Sequence, residues 1–167
     1  PYAVILSRAT PEHPIVVVAD FYLATFLSQP TWIEDVRPFR SVMMGLDLTP
    51  KPDDIDRFIP ASSLGVNWVE HARQTYAYDM GSVIRGAFAE LGLERGRVAF
   101  DDMGFGFRLG FDHVDVCDGY DAAMFARAVK TENELPLIER ATRLNQVAIE
   151  RTVASWEKGT TWRQLNR

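Results

Sequence analysis

Arg127-Ala128-Val129-Lys130-Thr131-Glu132-Asn133-Glu134-Leu135 opens the segment around which this chain is organised, and Gly159-Thr160-Thr161-Trp162-Arg163-Gln164-Leu165 closes it. Thr131 followed three residues later by Glu134 has the form of a capping box. The threonine oxygen can accept an amide of the first turn, and the glutamate carboxylate can reach back to the cap amide. Pro136 is tolerated because it lies near the first turn, and it costs nothing if the cap is Asn133 instead. Leu135, Ile138, Ala141, Leu144, Ala148, Thr152 and Trp156 then recur three or four apart. That spacing predicts one long helix with an apolar stripe, and Glu139, Arg140, Arg143, Glu150 and Arg151 lie largely off it. Gly159 is placed to end the helix, and Thr160 or Thr161 to cap the next.

This segment resembles the domain junction of the creatinase and Xaa-Pro aminopeptidase (prolidase) family. There an Arg-x-x-Lys-Ser/Thr-x-x-Glu pattern leaves an N-terminal domain and opens the "pita-bread" catalytic domain. The family pattern continues with an Arg-Ala pair, seen here as Arg140-Ala141, and a Gly-x-Thr that starts the next helix, seen here as Gly159-Thr160-Thr161. A weaker likeness extends upstream, where Gly96-Arg97-Val98-Ala99-Phe100-Asp101 matches a helix-then-strand phrase and Val114-Asp115-Val116 the short strand before the junction. The family domain begins one helix and one strand earlier than Pro1, which leaves a sheet-edge strand unaccounted for.

Composition sets the outer bounds. A chain of 167 residues is long enough for one domain with a real core and too short for two large ones. With 47% hydrophobic and 25% charged residues it reads as an ordinary globular protein. A net charge of −5 argues against nucleic acid, whose phosphates call for a basic surface. No apolar run approaches the roughly 20 residues of a membrane span, and Pro1 to Leu6 lacks the basic start and cleavage site of a signal peptide. The one cysteine, Cys117, cannot form an internal disulfide, which suits a reducing cytoplasm. The absence of an initial Met and the ending inside a helix pattern lead us to expect a piece of a longer polypeptide.

Working back to the start, Tyr2 to Leu6 is a short strand, and the prolines of Ser7 to Pro14 suit a hairpin turn. Ile15-Val16-Val17-Val18-Ala19 is an uninterrupted, largely β-branched run, the mark of a strand buried on both faces. Asp20 is placed to cap a short helix ended by Gln29-Pro30, and Trp32 to Phe39 reads as a strand. Ser41 to Asn67 is irregular, broken by Pro50, Pro52 and Pro60, with one short helix near Pro52 to Phe58. Glu70 to Tyr78 and Gly81 to Leu93 follow as helices, the second burying Val83, Ile84, Ala87, Phe88 and Leu91 and finished by Gly92. Gly96 to Asp101 is turn then strand, Met103 to Phe111 is ambiguous, Val114 to Cys117 is a strand, and Tyr120 to Ala128 a helix. This order predicts an α/β layered domain with a mixed sheet flanked by helices. The resemblance adds a ribonuclease H-like motif over residues 1–128, with 129–167 forming the junction and first helix of a catalytic domain.

The candidate chemistry is sparse. Gly104-Phe105-Gly106-Phe107-Arg108-Leu109-Gly110 tempts a dinucleotide reading, but the last gap is one residue too long and the phenylalanines crowd a pyrophosphate. A glycine-relieved turn with two core phenylalanines fits better. Asp101, Asp102, Asp112, His113 and Asp115 make an acidic neighbourhood, yet adjacent residues on a strand face opposite ways and ligands must converge. Solvated turn charges are the default. His13 and His71 lack neighbours of a catalytic kind, and Cys117 reads as a small hydrophobe. Trp32, Phe39, Arg40 and Trp68 lie in or beside the irregular section. They can frame a small carboxylate-bearing substrate, or serve as packing residues with a solvated arginine.

The resemblance implies a non-catalytic N-terminal domain of a metal-dependent Xaa-Pro peptidase-like hydrolase, one that assists dimerisation and covers the active site. It implies no catalytic, cofactor-binding or metal residue in this chain. Two divalent ions (Mn, Co or Zn) are expected in the catalytic domain, with a small peptide or small molecule as substrate and a homodimer as the assembly. The alternatives are a non-peptidase family member, such as a creatinase-like amidinohydrolase or a lyase acting on a small zwitterion, or a pure assembly or binding domain.

Overall fold

The computed structural model describes residues 2–29, 31–41 and 51–165. Residues 42–50, the first part of the section read as irregular, and Pro30, read as a helix stop, lie outside them. The chain is α/β and divides into two compact units, one up to Asp118 and one from Gly119. The boundary read from the sequence stood at 128/129, one helix later.

In the first unit, β1 (Tyr2–Ile5) and β2 (Ile15–Ala19) pair antiparallel as a hairpin, and β3 (Asp35–Phe39) adds in parallel on the other side of β2. The crossover between β2 and β3 carries α1 (Leu23–Leu27). β2 is central, and its alternate residues feed two cores. Ile15, Val17 and Ala19 pack with Phe39 and with Val83, Ile84, Ala87 and Phe88 of α3 (Met80–Glu90). Val16 and Val18 pack with Val36, Leu23, Ile55, Trp68 and Val69, the last of these on α2 (Val69–Thr75). The run of apolar residues therefore belongs to a strand covered on both faces, and each such side chain contributes about 1.5–3 kcal/mol relative to exposure.

Pro38 sits in edge strand β3. Its carbonyl accepts the Ala77 amide at 3.3 Å, and the Arg40 amide bonds the Ala77 carbonyl at 2.9 Å. The side of Pro38 that lacks an N–H therefore faces away from β2, so the parallel ladder loses nothing.

α3 is capped at its start by Asp79, which accepts the Ser82 amide at 2.9 Å. It ends in a Schellman motif. Gly92 has φ +66°, its amide bonds the Ala89 carbonyl at 3.2 Å, and the Leu93 amide bonds the Phe88 carbonyl at 2.8 Å.

β4 (Arg97–Phe100) and β5 (Asp115–Asp118) form a second, two-stranded parallel sheet, where the sequence reading expected one mixed sheet. Only alternate residues of β4 are partly buried, so this strand lacks the two apolar faces that a place inside the larger sheet demands. Between them the ambiguous stretch folds as α4 (Met103–Arg108), capped by Asp102 accepting the Phe105 amide at 3.0 Å.

The second unit is helical: α5 (Tyr120–Ala128), α6 (Glu134–Ala154) and α7 (Trp162–Leu165). α6 opens on the expected capping box. The Thr131 amide donates to Glu134 Oε2 at 2.7 Å, and the Glu134 amide donates to Thr131 Oγ1 at 3.3 Å. The Asn133 side chain makes no cap bond, so the threonine holds the cap. The Thr131 amide, then its hydroxyl, both donating to the Glu134 carboxylate, hold that carboxyl below its ordinary value. Leu135, Ile138, Leu144, Ile149, Val153 and Trp156 of the segment are exposed. Thr142 and Thr152 donate their hydroxyls back to the carbonyls of Ile138 and Ala148 at 2.9 and 2.8 Å, so each satisfies its donor within the helix.

Candidate functional site

Parallel pairing brings the carboxyl ends of β2 and β3 side by side, the place where open α/β sheets hold ligands. Asp20 directly follows β2 and Arg40 directly follows β3. Asp20 is 0% exposed. Its carboxylate accepts the Tyr76 hydroxyl at 2.7 Å, the Phe21 amide at 2.8 Å and the Ser41 amide at 3.2 Å. Burial, then the bond to Asp20, pushes the Tyr76 phenol up to about 12, against an opposing bond from Arg40. Tyr76 is thus a fixed donor at neutral pH. Arg40, itself buried, pairs through Nη2 with Asp54 Oδ2 at 2.9 Å, and Arg57 Nη2 takes the other oxygen at 2.8 Å. The Lys51 amide, with Arg57 and Arg40 close by, holds the Asp54 carboxyl below its ordinary value. The result is a preorganised polar cluster of one phenol, two guanidinium groups and two carboxylates. It can orient a polar group by hydrogen bonding. It offers no activated nucleophile, because Tyr76 is held protonated.

A second cluster lies at the start of β3. Arg37, only 4% exposed, grips Asp35 through Nε and Nη2 at 2.7 and 2.8 Å and reaches Glu90 of α3 at 2.7 Å. His71 Nε2 lies 2.9 Å from Asp35 Oδ1. Burial works to raise the Asp35 carboxyl, but the bonds and charges of Arg37 and His71 outweigh it and leave it below its ordinary value. This network ties α2 and α3 to the edge strand.

The four residues singled out from sequence do not share one place. Phe39 is buried in the core against α3, and Trp68 in the opposite core, edge-on to Phe26 at 6.0 Å and 76°. Arg40 lies in the strand-end cluster. Trp32 is 70% exposed and lies ahead of β3. Eight residues of extended chain, about 26 Å, separate it from Arg40.

Asp20, read as a helix cap, is instead the first residue of a 3-10 turn whose cap position is Ala19, and its buried carboxylate serves the Phe21 and Ser41 amides and the Tyr76 hydroxyl. A carboxylate placed directly after five buried apolar residues was the available signal for this. Tyr76 left none, since its partner is 56 residues away.

The acidic neighbourhood is dispersed. Asp102 caps α4, and Asp115 lies 3.5 Å from Arg97 at the surface. Among the described residues no three His, Cys, Asp or Glu side chains are grouped to hold a metal ion. Gly106 is explained by packing, because a Cβ there would lie 2.8 Å from the Phe100 ring and 3.0 Å from Val116. Phe105 is partly buried beside Phe100, whereas Phe107 is exposed, so one phenylalanine and not two joins the core. Among the described residues no helix is long and apolar enough to cross a membrane.

No protein-family model, curated protein or solved structure matches this chain.

Proposed function

We propose that this chain is the non-catalytic N-terminal domain of a creatinase/Xaa-Pro peptidase-type hydrolase, followed by the first helix of its catalytic domain. The observation that carries this reading is the reciprocal Thr131–Glu134 capping box, which opens the 21-residue α6 where the Arg127/Lys130/Thr131/Glu134 junction pattern calls for a helix start. The α/β unit ahead of it is consistent in class. The exposed apolar surface of α6 supports an element made to be covered, by the rest of a catalytic domain or by a second copy. The role that follows is dimerisation and cover over the partner's active site, in the cytoplasm as the single cysteine suggests. Of the residues considered for facing substrate, Arg40 keeps that role in this reading, Phe39 and Trp68 serve packing, and Trp32 lies at the other end of β3.

Among the described residues no three His, Cys, Asp or Glu side chains are grouped to hold the pair of divalent metals that such a catalytic domain uses. Glu139 and Glu150 of α6 are eleven residues apart, about 16 Å along a helix, against roughly 3.5–4 Å between paired metals. The metal ligands belong, in this reading, to the sequence beyond Arg167.

Calorimetric titration with Mn²⁺ and Zn²⁺ beside an Xaa-Pro dipeptide assay tests the assignment. The chain alone is expected to bind no metal pair and release no proline, and two metals bound with proline release overturn it. Sedimentation at micromolar concentration is expected to give a dimer that Leu144→Arg dissociates; a monomer throughout removes the assembly role. In the longer protein, metal-dependent proline release supports the peptidase reading. A full ligand set without that activity favours the non-peptidase member, and a broken set favours assembly or binding alone.

A further inference from the structure

The starts of β2 and β3 lie together at the end of the sheet opposite the Asp20–Arg40 cluster, and an open groove of about 410 Å³ runs between them. It is lined by buried Pro14, half-buried Ile33 and the exposed Trp32, together with Glu12, His13, Glu34 and Asp35. The charges are not balanced locally. Asp35 is offset by the bidentate Arg37. Among the described residues Glu12 pairs only with His13, at 3.7 Å and exposed to water, and Glu34 makes no ion pair. The groove therefore combines an apolar lining, an exposed indole and two carboxylates without a fixed counter-ion.

Each part selects in the same direction. An anion is repelled by Glu12 and Glu34. A neutral apolar ligand gains Pro14 and Ile33 but draws nothing from the carboxylates. A cation carrying methyl groups gains the same apolar lining, has the Trp32 indole within the groove as a cation–π partner and is attracted by both glutamates. We propose that this groove is a binding site for a small organic cation of the alkylammonium class. The site is independent of the domain role proposed above, since it uses none of the junction, the α6 surface or the strand-end cluster.

The test is a titration of the whole chain with choline, followed on the tryptophan indole N–H resonances by NMR. Its uncharged isostere, 3,3-dimethylbutan-1-ol, is the control. Choline is expected to shift the Trp32 resonance saturably and leave that of buried Trp68 in place. The isostere should bind at least about two- to fivefold more weakly, the factor an exposed cation–π contact alone supplies. Glu12→Gln with Glu34→Gln should weaken choline and leave the isostere unchanged. Trp32→Leu, which keeps apolar bulk at a 70% exposed position and so does not threaten folding, should reduce the preference for the cation to the part the two glutamates supply. Equal affinity for choline and its isostere, or a Trp32 resonance that does not move in high-millimolar choline, overturns the proposal.

Discussion

The Tyr76 hydroxyl donates to the fully buried Asp20 carboxylate at 2.7 Å, joining the end of α2 to the end of the central strand across 56 residues of sequence. Tyr76→Phe removes that donor and leaves a buried carboxylate short of one partner. The expected loss is about 1–3 kcal/mol at neutral pH, read as a lower urea midpoint at unchanged slope. The phenol also predicts alkaline behaviour. Its folded value of about 12 lies above the ordinary 10.0. Between those values the unfolded chain has released the proton and the folded chain keeps it, so stability falls as pH rises through that window. Tyr76 should ionise late at 295 nm, together with unfolding, and Tyr76→Phe should abolish that late step.

Arg37 binds Asp35 and Glu90 from a nearly closed position. Arg37→Met keeps the bulk of the stem and strands both carboxylates. Asp35 and Glu90 retain some contact with water, so the expected cost is about 2–4 kcal/mol, toward the lower end of what breaking a buried pair costs. Asp35 is held below its ordinary 3.8. Its contribution is therefore present above pH 3.8 and lost as pH falls below it. Asp35→Asn should flatten the acid limb of the stability curve, and an unchanged acid limb would move that linkage elsewhere.

Two glycines predict opposite signs. A Cβ on Gly106 would meet the Phe100 ring at 2.8 Å and Val116 at 3.0 Å, so Gly106→Ala forces α4 off the two-stranded sheet and should cost about 1–3 kcal/mol. Gly86, inside α3, has nothing within 4 Å of the added methyl, and Gly86→Ala should gain about 0.5–1 kcal/mol from helix propensity. Chemical denaturation of both variants checks the pair.

Thr131→Ala should lose roughly 1 kcal/mol of local stability at the start of α6. Asn133→Ala should lose almost nothing, since that side chain makes no cap bond. Amide exchange at Glu134 and Leu135, whose N–H groups both bond Thr131, reads the difference directly.

Several elements are legible in the amino-acid sequence because their causes are local. Ile15 to Ala19 declares a strand with two buried faces, and β2 has them. The Val83, Ile84, Ala87 and Phe88 spacing declares the buried face of α3, and Gly92 its stop. Thr131 and Glu134 are three residues apart, so their bond depends on nothing distant. Met103 to Arg108 escapes assignment because Gly104 and Gly106 lower helix propensity, and the contact that makes Gly106 an asset involves Phe100 and Val116 on two strands.

The candidate site divides the same way. Arg40 stands out beside Phe39 and Trp68, but strand alternation sends Phe39 into one core while Trp68 fills the other, leaving the arginine with Asp54 and Tyr76. The buried face of α3, its Gly92 stop and the Thr131 cap were settled by the sequence itself, because covalent spacing fixes which groups meet within a few residues, whereas α6 ends at Ala154, short of Trp156 and of the Gly159 expected to stop it. The tertiary structure alone decided that β4 and β5 stand apart from the main sheet, that Asp20 has Tyr76 as its donor, and that Trp32 faces a groove with Glu12. Those outcomes depend on strand pairing between segments far apart in the chain, and the energy of such pairing is shared among residues that carry no mark of their partners.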